Sequence, residues 1–418
     1  MDKELLKANT QRSYELYLNG SDRRKIILFF KSPIYGQYGI NTYLHSILTV
    51  LPKNDLDIIV CYLDALRRDF FLEKDYAVFS FQRLNYTGTS NCQEKLSKSI
   101  FYFLASKIGY GKNVVCHFNL YGFDDLMKLF KEKMNAKIIF TVHYTSWGLN
   151  YRGNIEVVEN LLHKPEEQLN KNEQEILRLM KEEKESILSS DYVIAPSLFT
   201  VDHLLSIYNI RKSNIIYIPH FVESVTNKVM RSQNEIRLEY GFDNNHKIIL
   251  FVGRLDDNKG LECLISVFTV LHKQIASLRL IIAGDGDFNN VLRFIPNQVR
   301  ESVIFVGFVE KRVLSELFKI SDIGVVPSYY EEFGYTAVEM LTAGMPVVCS
   351  DTSGLTQLKL YSDRVYFFRH DVQNKGFLNI MEKILTMDLR EKDSCIWKLG
   401  KDIIKSNFLI KMKNIYKI

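Results

Sequence analysis

Short runs rich in Ile, Val and Phe, separated by stretches of helical period, occur in two successive series along this chain, and that alternation restricts the fold more than any other feature. The first series is KIILFF (25–30), DIIVCY (57–62), NVVCH (113–117), KIIFTV (137–142), YVIA (192–195) and NIIYI (214–218). Unbroken apolar runs of this length suit parallel strands covered on both faces, because neither face meets water. Between them, Leu126, Phe130 and Met134 fall on one helical face, as do Ile176, Leu179, Met180 and Ile187. The second series is KIILFV (247–252), LRLIIA (278–283), SVIFV (302–306), DIGVV (322–326), PVVC (346–349) and VYFF (365–368).

The expected fold is therefore α/β, with two Rossmann-like doubly wound domains. At 418 residues the chain exceeds one ordinary core, and two domains of roughly 200 residues each are the natural division. The polar stretch ESVTNKVMRSQNE (223–235) lacks an apolar period and separates the two series. It sets the expected domains at 1–222 and 223–418, with a last helix, about 400–418, that could pack back on the first.

Several functions are disfavoured by composition. A net charge of +5, thinly spread, gives little support for nucleic acid as a partner. Cys61, Cys92, Cys116, Cys263, Cys349 and Cys395 stand far apart, without a C-x-x-C pair or histidines at ligand spacing, and read as reduced thiols rather than a metal site. The first residues, MDKELLKANTQRSYELYLNG, carry acids and no apolar core stretch, unlike a signal peptide. No run approaches the roughly 20 apolar residues that span a bilayer. A reducing cytoplasm is the expected compartment.

Ligands of doubly wound sheets bind beyond the carboxyl ends of the strands. After KIILFV comes GRLDDNKG (253–260), followed by a helix with Leu261, Leu264, Ile265, Phe268 and Leu271 on one stripe. Arg254 can fork onto phosphate oxygens, Lys259 can add a point charge, and the helix start adds positive potential, which together suit a diphosphate. The same loop in isolation reads equally as a solvated turn. After DIGVV comes PSYYEEFGYTAVEMLTAGMPVV (327–348), in which Glu331 and Glu332 lie in a loop and Glu339 inside a helix closed by Gly344. An ionised carboxylate accepts two hydrogen bonds in one plane and suits neighbouring hydroxyls of a ribose or sugar ring. The other reading leaves these acids solvated, and Glu332 fits it best.

These residues resemble the E-x7-E signature of GT-B retaining glycosyltransferases of family 4 (glycosyl transferases group 1), with Glu331 and Glu339 at the required spacing. Gly253 to Gly260 match the family's G-R-L-x-x-x-K-G, and Gly284–Asp285–Gly286 its G-D-G turn. VGFVE (306–310), which contains Val309, resembles its nucleobase loop, and AGMPVV (343–348) its helix exit. The resemblance implies a GT-B fold whose two domains face across a cleft. It implies that Gly253, Arg254 and Lys259 hold the donor diphosphate, Glu339 the ribose and Glu331 the transferred sugar, with backbone N–H groups of Phe333, Gly334 and Tyr335 at the sugar and phosphate. In PIYGQYGINTYL (33–44), Gly39 matches the second glycine of the family's Gly-Gly loop, while Tyr38 replaces the first. FTVHYTSW (140–147) places His143 where family members put a histidine beside the donor sugar; His117 at a neighbouring strand end is the lesser candidate. IPHFVE (218–223) has Phe221 where the family has glycine.

By this resemblance the protein moves a sugar, with retention, from a nucleotide-diphosphate donor to an acceptor hydroxyl. The family's route is metal-independent front-face substitution, in which the leaving diphosphate helps deprotonate the acceptor. No cofactor is implied, and a UDP- or GDP-sugar is the expected donor. The D-x-D strings DLD (55–57) and DGD (285–287) read as structural. A sugar-nucleotide 2-epimerase, or an inactive GT-B protein that binds a partner, are the rival readings. The acceptor stays open between a glycan or lipid-linked intermediate and a peptide. HYTSWGLNYRGN (143–154) resembles a bacterial subgroup associated with modified peptides. Lys95, Lys98, Lys107, Lys112, Lys128, Lys131, Lys133 and Lys137, interleaved with apolar residues, suit either peripheral contact with an anionic inner membrane face or a solvated surface.

Overall fold

The structure, a computed structural model, describes residues 22–31, 39–52, 55–65, 69–73, 75–82, 92–110, 113–223, 231–386 and 401–417. The chain divides into two compact units. One runs to Trp147, resumes over Ile155–Pro219 and takes in the chain from Phe408 onward; the other comprises Gly148–Asn154 and His220–Asn407. The boundary falls at Pro219/His220 rather than at 222/223 because His220 stacks on Tyr335 (centroids 5.4 Å, 13° between planes) and Val222 joins an apolar core of the second unit. Much of the expected linker, 224–230, lies outside the described residues, and the helix Gln233–Glu239 begins inside its C-terminal end.

The sheet of the first unit contains β1 (Arg24–Lys31), β2 (Leu56–Ala65), β3 (Asp69–Glu73), β4 (Tyr76–Gln82), β5 (Val114–Phe118), β6 (Lys137–Thr141), β7 (Tyr192–Ala195) and β8 (Ile215–Tyr217). Its order is β3-β4-β2-β1-β5-β6-β7-β8, with every pairing parallel except β3 on β4. The hairpin β3–β4 was not among the expected strands and puts an antiparallel edge on an otherwise parallel sheet. β1 lies between β2 and β5, so Ile26 to Phe30 are fully buried, as an all-apolar run demands.

The carboxyl ends of the central strands carry a buried polar chain. His117 Nδ1 lies 2.6 Å from the Tyr416 hydroxyl and its Nε2 2.7 Å from Thr141 Oγ1, which in turn meets the Tyr43 hydroxyl at 3.1 Å. Satisfied on both nitrogens and without solvent access, His117 serves to hold Tyr416, at the end of the C-terminal helix, against this sheet. Burial, with a smaller contribution from nearby His143, pushes its pKa down to about 3.

The second unit has β9 (Lys247–Val252), β10 (Leu278–Ala283), β11 (Val303–Gly307), β12 (Ile323–Val326), β13 (Val347–Ser350) and β14 (Val365–Phe368), in the order β11-β10-β9-β12-β13-β14 and all parallel. This is the doubly wound order 3-2-1-4-5-6. Alternate residues of β9 feed the two faces: Ile249 and Phe251 pack with Leu264, Phe268 and Leu271, while Ile248 and Leu250 pack with Leu317, Val338 and Leu341. Burial of each such side chain contributes about 1.5–3 kcal/mol.

Strand order reverses between β9 and β12, whose residues Ile249, Leu250 and Phe251 oppose Ile323, Gly324 and Val325. Their following loops, 253–260 and 327–334, therefore emerge side by side. Tyr329 N donates to Asn258 O at 2.8 Å. Gly260 has φ +65°, and a β-carbon there would stand 2.1 Å from the Pro327 carbonyl oxygen. The residue must be glycine both for its left-handed backbone and for the space.

Gly260→Ala should destabilise the second unit by more than the roughly 1–2 kcal/mol of a left-handed backbone, because the Pro327 carbonyl must also move; the denaturant midpoint measures this. For His117, the unfolded chain binds a proton near the ordinary histidine pKa that the folded chain refuses until about pH 3. Stability should thus fall as pH drops through that interval, by up to about 1.4 kcal/mol per pH unit. His117→Gln should flatten this acid slope by up to one proton; an unaltered slope would show that His117 titrates normally.

Candidate functional site

The two loops at the reversal between β9 and β12 are built to hold charge. Loop 253–260 is fixed on its far side by Leu255 N donating to Asp285 O at 2.8 Å and Asp287 N donating to Leu255 O at 2.9 Å. The helix Leu261–Gln274 starts directly after Gly260, which offers no side chain to cap it. Its first N–H groups carry the positive end of the helix dipole.

Lys259 Nζ and Glu331 Oε1, from loops 72 residues apart, meet at 2.5 Å. Both side chains are less than a fifth exposed. Ser328 Oγ donates to the same Glu331 oxygen at 2.9 Å. The Glu331 backbone is pinned as well, its N–H donating to Ser353 Oγ (2.9 Å) and its carbonyl accepting from Gly354 N (2.8 Å). Arg254 is half-exposed and pairs with Asp256 at 2.9 Å. Gly253 N donates to Ala283 O at 3.0 Å, keeping this loop close to β10.

Gly334, at φ +83°, caps the helix Tyr335–Thr342, and Glu339 stands half-exposed on that helix. The Phe333 side chain is buried in the core, its ring 5.1 Å from that of His220. Val309 packs half-buried against the same core. Glu332 does not behave as a solvated loop acid: it is 4% exposed and accepts a hydrogen bond from the Tyr330 hydroxyl. The alternation of the loop turns its side chain inward while Glu331 meets Lys259.

In the first unit, Gly39 opens the helix Gly39–Val50, while Tyr38 and the rest of the loop after β1 lie outside the described residues. His143 Nε2 is 2.9 Å from Asn119 Oδ1, and its ring meets Tyr43 edge-on at 5.0 Å. Asn119 Nδ2 donates to Phe29 O at 3.2 Å, which leaves Oδ1 to accept from His143 Nε2. Asn119, which is buried, is a residue that sequence reasoning missed; its signal was an amide directly after the apolar run of β5.

Asp57 pairs with Lys25 at 2.8 Å and Asp287 caps the short helix Phe288–Leu292, so both D-x-D strings include a residue with a structural role. Among the described residues no group of three His, Cys, Asp or Glu is placed to hold a metal ion. Lys98, Lys128 and Lys131 pair with Glu94, Asp124 and Asp191, as lysines of a solvated face do. No helix among the described residues is long and apolar enough to cross a membrane.

Residues 232–388 match the family described as Glycosyl transferases group 1. An uncharacterized glycosyltransferase of Methanocaldococcus jannaschii is 36% identical over 179 residues, 41% of this chain and 45% of that protein. Mannosylfructose-phosphate synthase of Agrobacterium fabrum is 31% identical over 193 residues, 43% of this chain and 42% of that one. The aligned region thus spans less than half the length of these curated relatives. Over nearly the whole chain, the solved sucrose-phosphate synthase of Thermosynechococcus elongatus superposes with a TM-score of 0.70 at 19% identity, covering 94% of this chain and 98% of that one. The two parallel-sheet units are the Rossmann-like domains of the GT-B fold, and through residues 232–388 the chain is similar to group 1 glycosyltransferases.

Proposed function

We propose that this protein is a retaining glycosyltransferase of family 4 that moves a sugar from a nucleoside-diphosphate donor to an acceptor hydroxyl, without a metal. The observation that carries this reading is the Lys259–Glu331 contact at the strand-order reversal, beside an uncapped helix start. A cation and a carboxylate held together there are the pair that a sugar diphosphate would separate. Lys259 would turn to a phosphate oxygen, exchanging one charged partner for another, and Glu331 would accept from sugar hydroxyls in place of the Lys259 ammonium.

In the reaction, the bond between the anomeric carbon and the diphosphate oxygen breaks, with its electron pair leaving on the diphosphate. The acceptor oxygen bonds to the same face of that carbon, and its proton passes to the leaving oxygen. Charge develops on the diphosphate, where Arg254, Lys259 and the N–H groups of the helix start act. Glu339 takes the ribose hydroxyls, and Gly253 and the amides of Phe333, Gly334 and Tyr335 line the donor. Val309 and Gly39 belong to the loops assigned to the nucleobase and the phosphate. His143, oriented by Asn119, acts beside the transferred sugar. The acceptor is a glycan, a lipid-linked intermediate or a peptide.

A panel of UDP-, GDP- and ADP-sugars should contain one that raises the melting temperature at millimolar concentration and is consumed with an acceptor. The product's anomeric configuration, read by NMR, should be retained, and EDTA should leave the rate unchanged. Arg254→Ala and Lys259→Ala should each cost about 10²–10³ in kcat, whereas Glu339→Ala should chiefly raise the donor KM. If no nucleotide sugar binds the wild type, the reading fails.

His143→Ala should keep donor affinity while losing rate. An unchanged rate would reduce His143 to a structural residue.

A further inference from the structure

The segment Gly148–Asn154 belongs by its contacts to the second unit, although the residues on either side of it belong to the first. It is a tight strap. Gly153 N donates to Gly148 O and Asn154 N to Tyr151 O, both at 2.9 Å, and Arg152 and Gly153 are consecutive left-handed residues with φ 53° and 70°. For Arg152 that backbone is strained, and such strain persists only where surrounding structure holds it.

The strap bears on the two residues immediately before Glu331. The Arg152 guanidinium lies 3.8 Å from the centroid of the Tyr329 ring, in cation–π range. A β-carbon at Gly148 would stand 2.2 Å from Cζ of Tyr330, so the strap backbone lies directly against that ring. Both tyrosines are otherwise committed. Tyr329 stacks on His370 at 4.2 Å, donates its hydroxyl to Glu262 at 2.8 Å, and its carbonyl accepts from Thr352 Oγ1 at 3.0 Å. Tyr330 is 3% exposed and bonds the buried Glu332. Residues 329–332 are therefore braced from the start of the helix Leu261–Gln274, from Thr352–Gly354, from the end of β14, and from the strap. The strap supplies the brace most remote in sequence, and Arg152, itself exposed, is its charged contact.

We infer that the strap is a positioning element for the sugar-binding carboxylate, with Arg152 holding Tyr329 and Gly148 admitting Tyr330 so that Glu331 is presented at a fixed place. The inference rests on the transferase reading of Glu331, while its own content concerns Arg152 and Gly148. Arg152 touches neither donor nor acceptor in this account. It acts through Tyr329, so its removal should affect recognition of the sugar and leave the nucleoside diphosphate held by Arg254 and Lys259.

The test compares thermal stabilisation by a nucleotide sugar and by its free nucleoside diphosphate, with UDP-glucose and UDP, GDP-mannose and GDP, and ADP-glucose and ADP as probes. Arg152→Gln should keep the stabilisation by the diphosphate, lose most of the added stabilisation by the sugar, and lower kcat about tenfold, the order expected of a small misplacement. Arg152→Lys, which restores a cation over the ring, should recover most of both. Gly148→Ala should act in the same sense as Arg152→Gln. In a Glu331→Gln background, Arg152→Gln should change the sugar preference little further, since the carboxylate it positions is gone. An unchanged sugar preference in Arg152→Gln, a parallel loss of diphosphate and sugar binding, or full additivity with Glu331→Gln would each overturn the inference. A wild type that binds neither member of any pair overturns the transferase reading itself and is seen before any variant is made.

Discussion

Between Gly260 and the Pro327 carbonyl there is no room for a β-carbon, and the candidate site depends on that approach. Two parallel strands at the centre of a doubly wound sheet place their exit loops side by side, but they do not by themselves bring the loops into contact. The missing side chain does, letting the backbone of loop 253–260 lie against the end of β12. Asn258 O can then accept from Tyr329 N, and Lys259 can reach Glu331. The same glycine leaves the following helix without a side-chain cap, so one residue type serves close packing and the exposure of positive backbone groups.

The first unit uses polar burial differently. His117 lies in β5 and Asn119 just beyond its end. His117 is absorbed in a closed chain of hydroxyls that ties Tyr416, near the C-terminus, to the sheet. Asn119 divides its amide between the end of β1 and His143. Two histidines at neighbouring strand ends therefore have separate fates: one is insulated from solvent and protons, and the other is half-exposed and oriented by a fixed acceptor.

Much of this was legible in the sequence because buried parallel strands leave an unbroken apolar record. KIILFV, LRLIIA and VYFF coincide with β9, β10 and β14 to the residue. The hairpin β3–β4 escaped notice because DFFLE and YAVFSFQ are separated by only two residues and form an antiparallel edge. Lys259 and Glu331 were legible as residue types at motif spacing. Their contact was not, because it spans 72 positions and depends on strand order, which a linear pattern does not encode. Glu332 was misjudged for a related reason. Two adjacent acids look alike in a string, and only the path of the loop turns one toward Lys259 and the other into the interior against Tyr330.

By itself the sequence determined the two α/β series, the place of most strands, the apolar faces of the helices and the loops that carry charge, since all of these follow from local period and residue chemistry. The tertiary structure decided the partners. It joined Lys259 to Glu331, assigned His117 to packing and His143 to an oriented surface, and laid the strap Gly148–Asn154 against Tyr329 and Tyr330. These outcomes depend on contacts between residues far apart in the chain, and such contacts are set by the order in which strands pair and by the few places where a missing side chain lets two backbones meet.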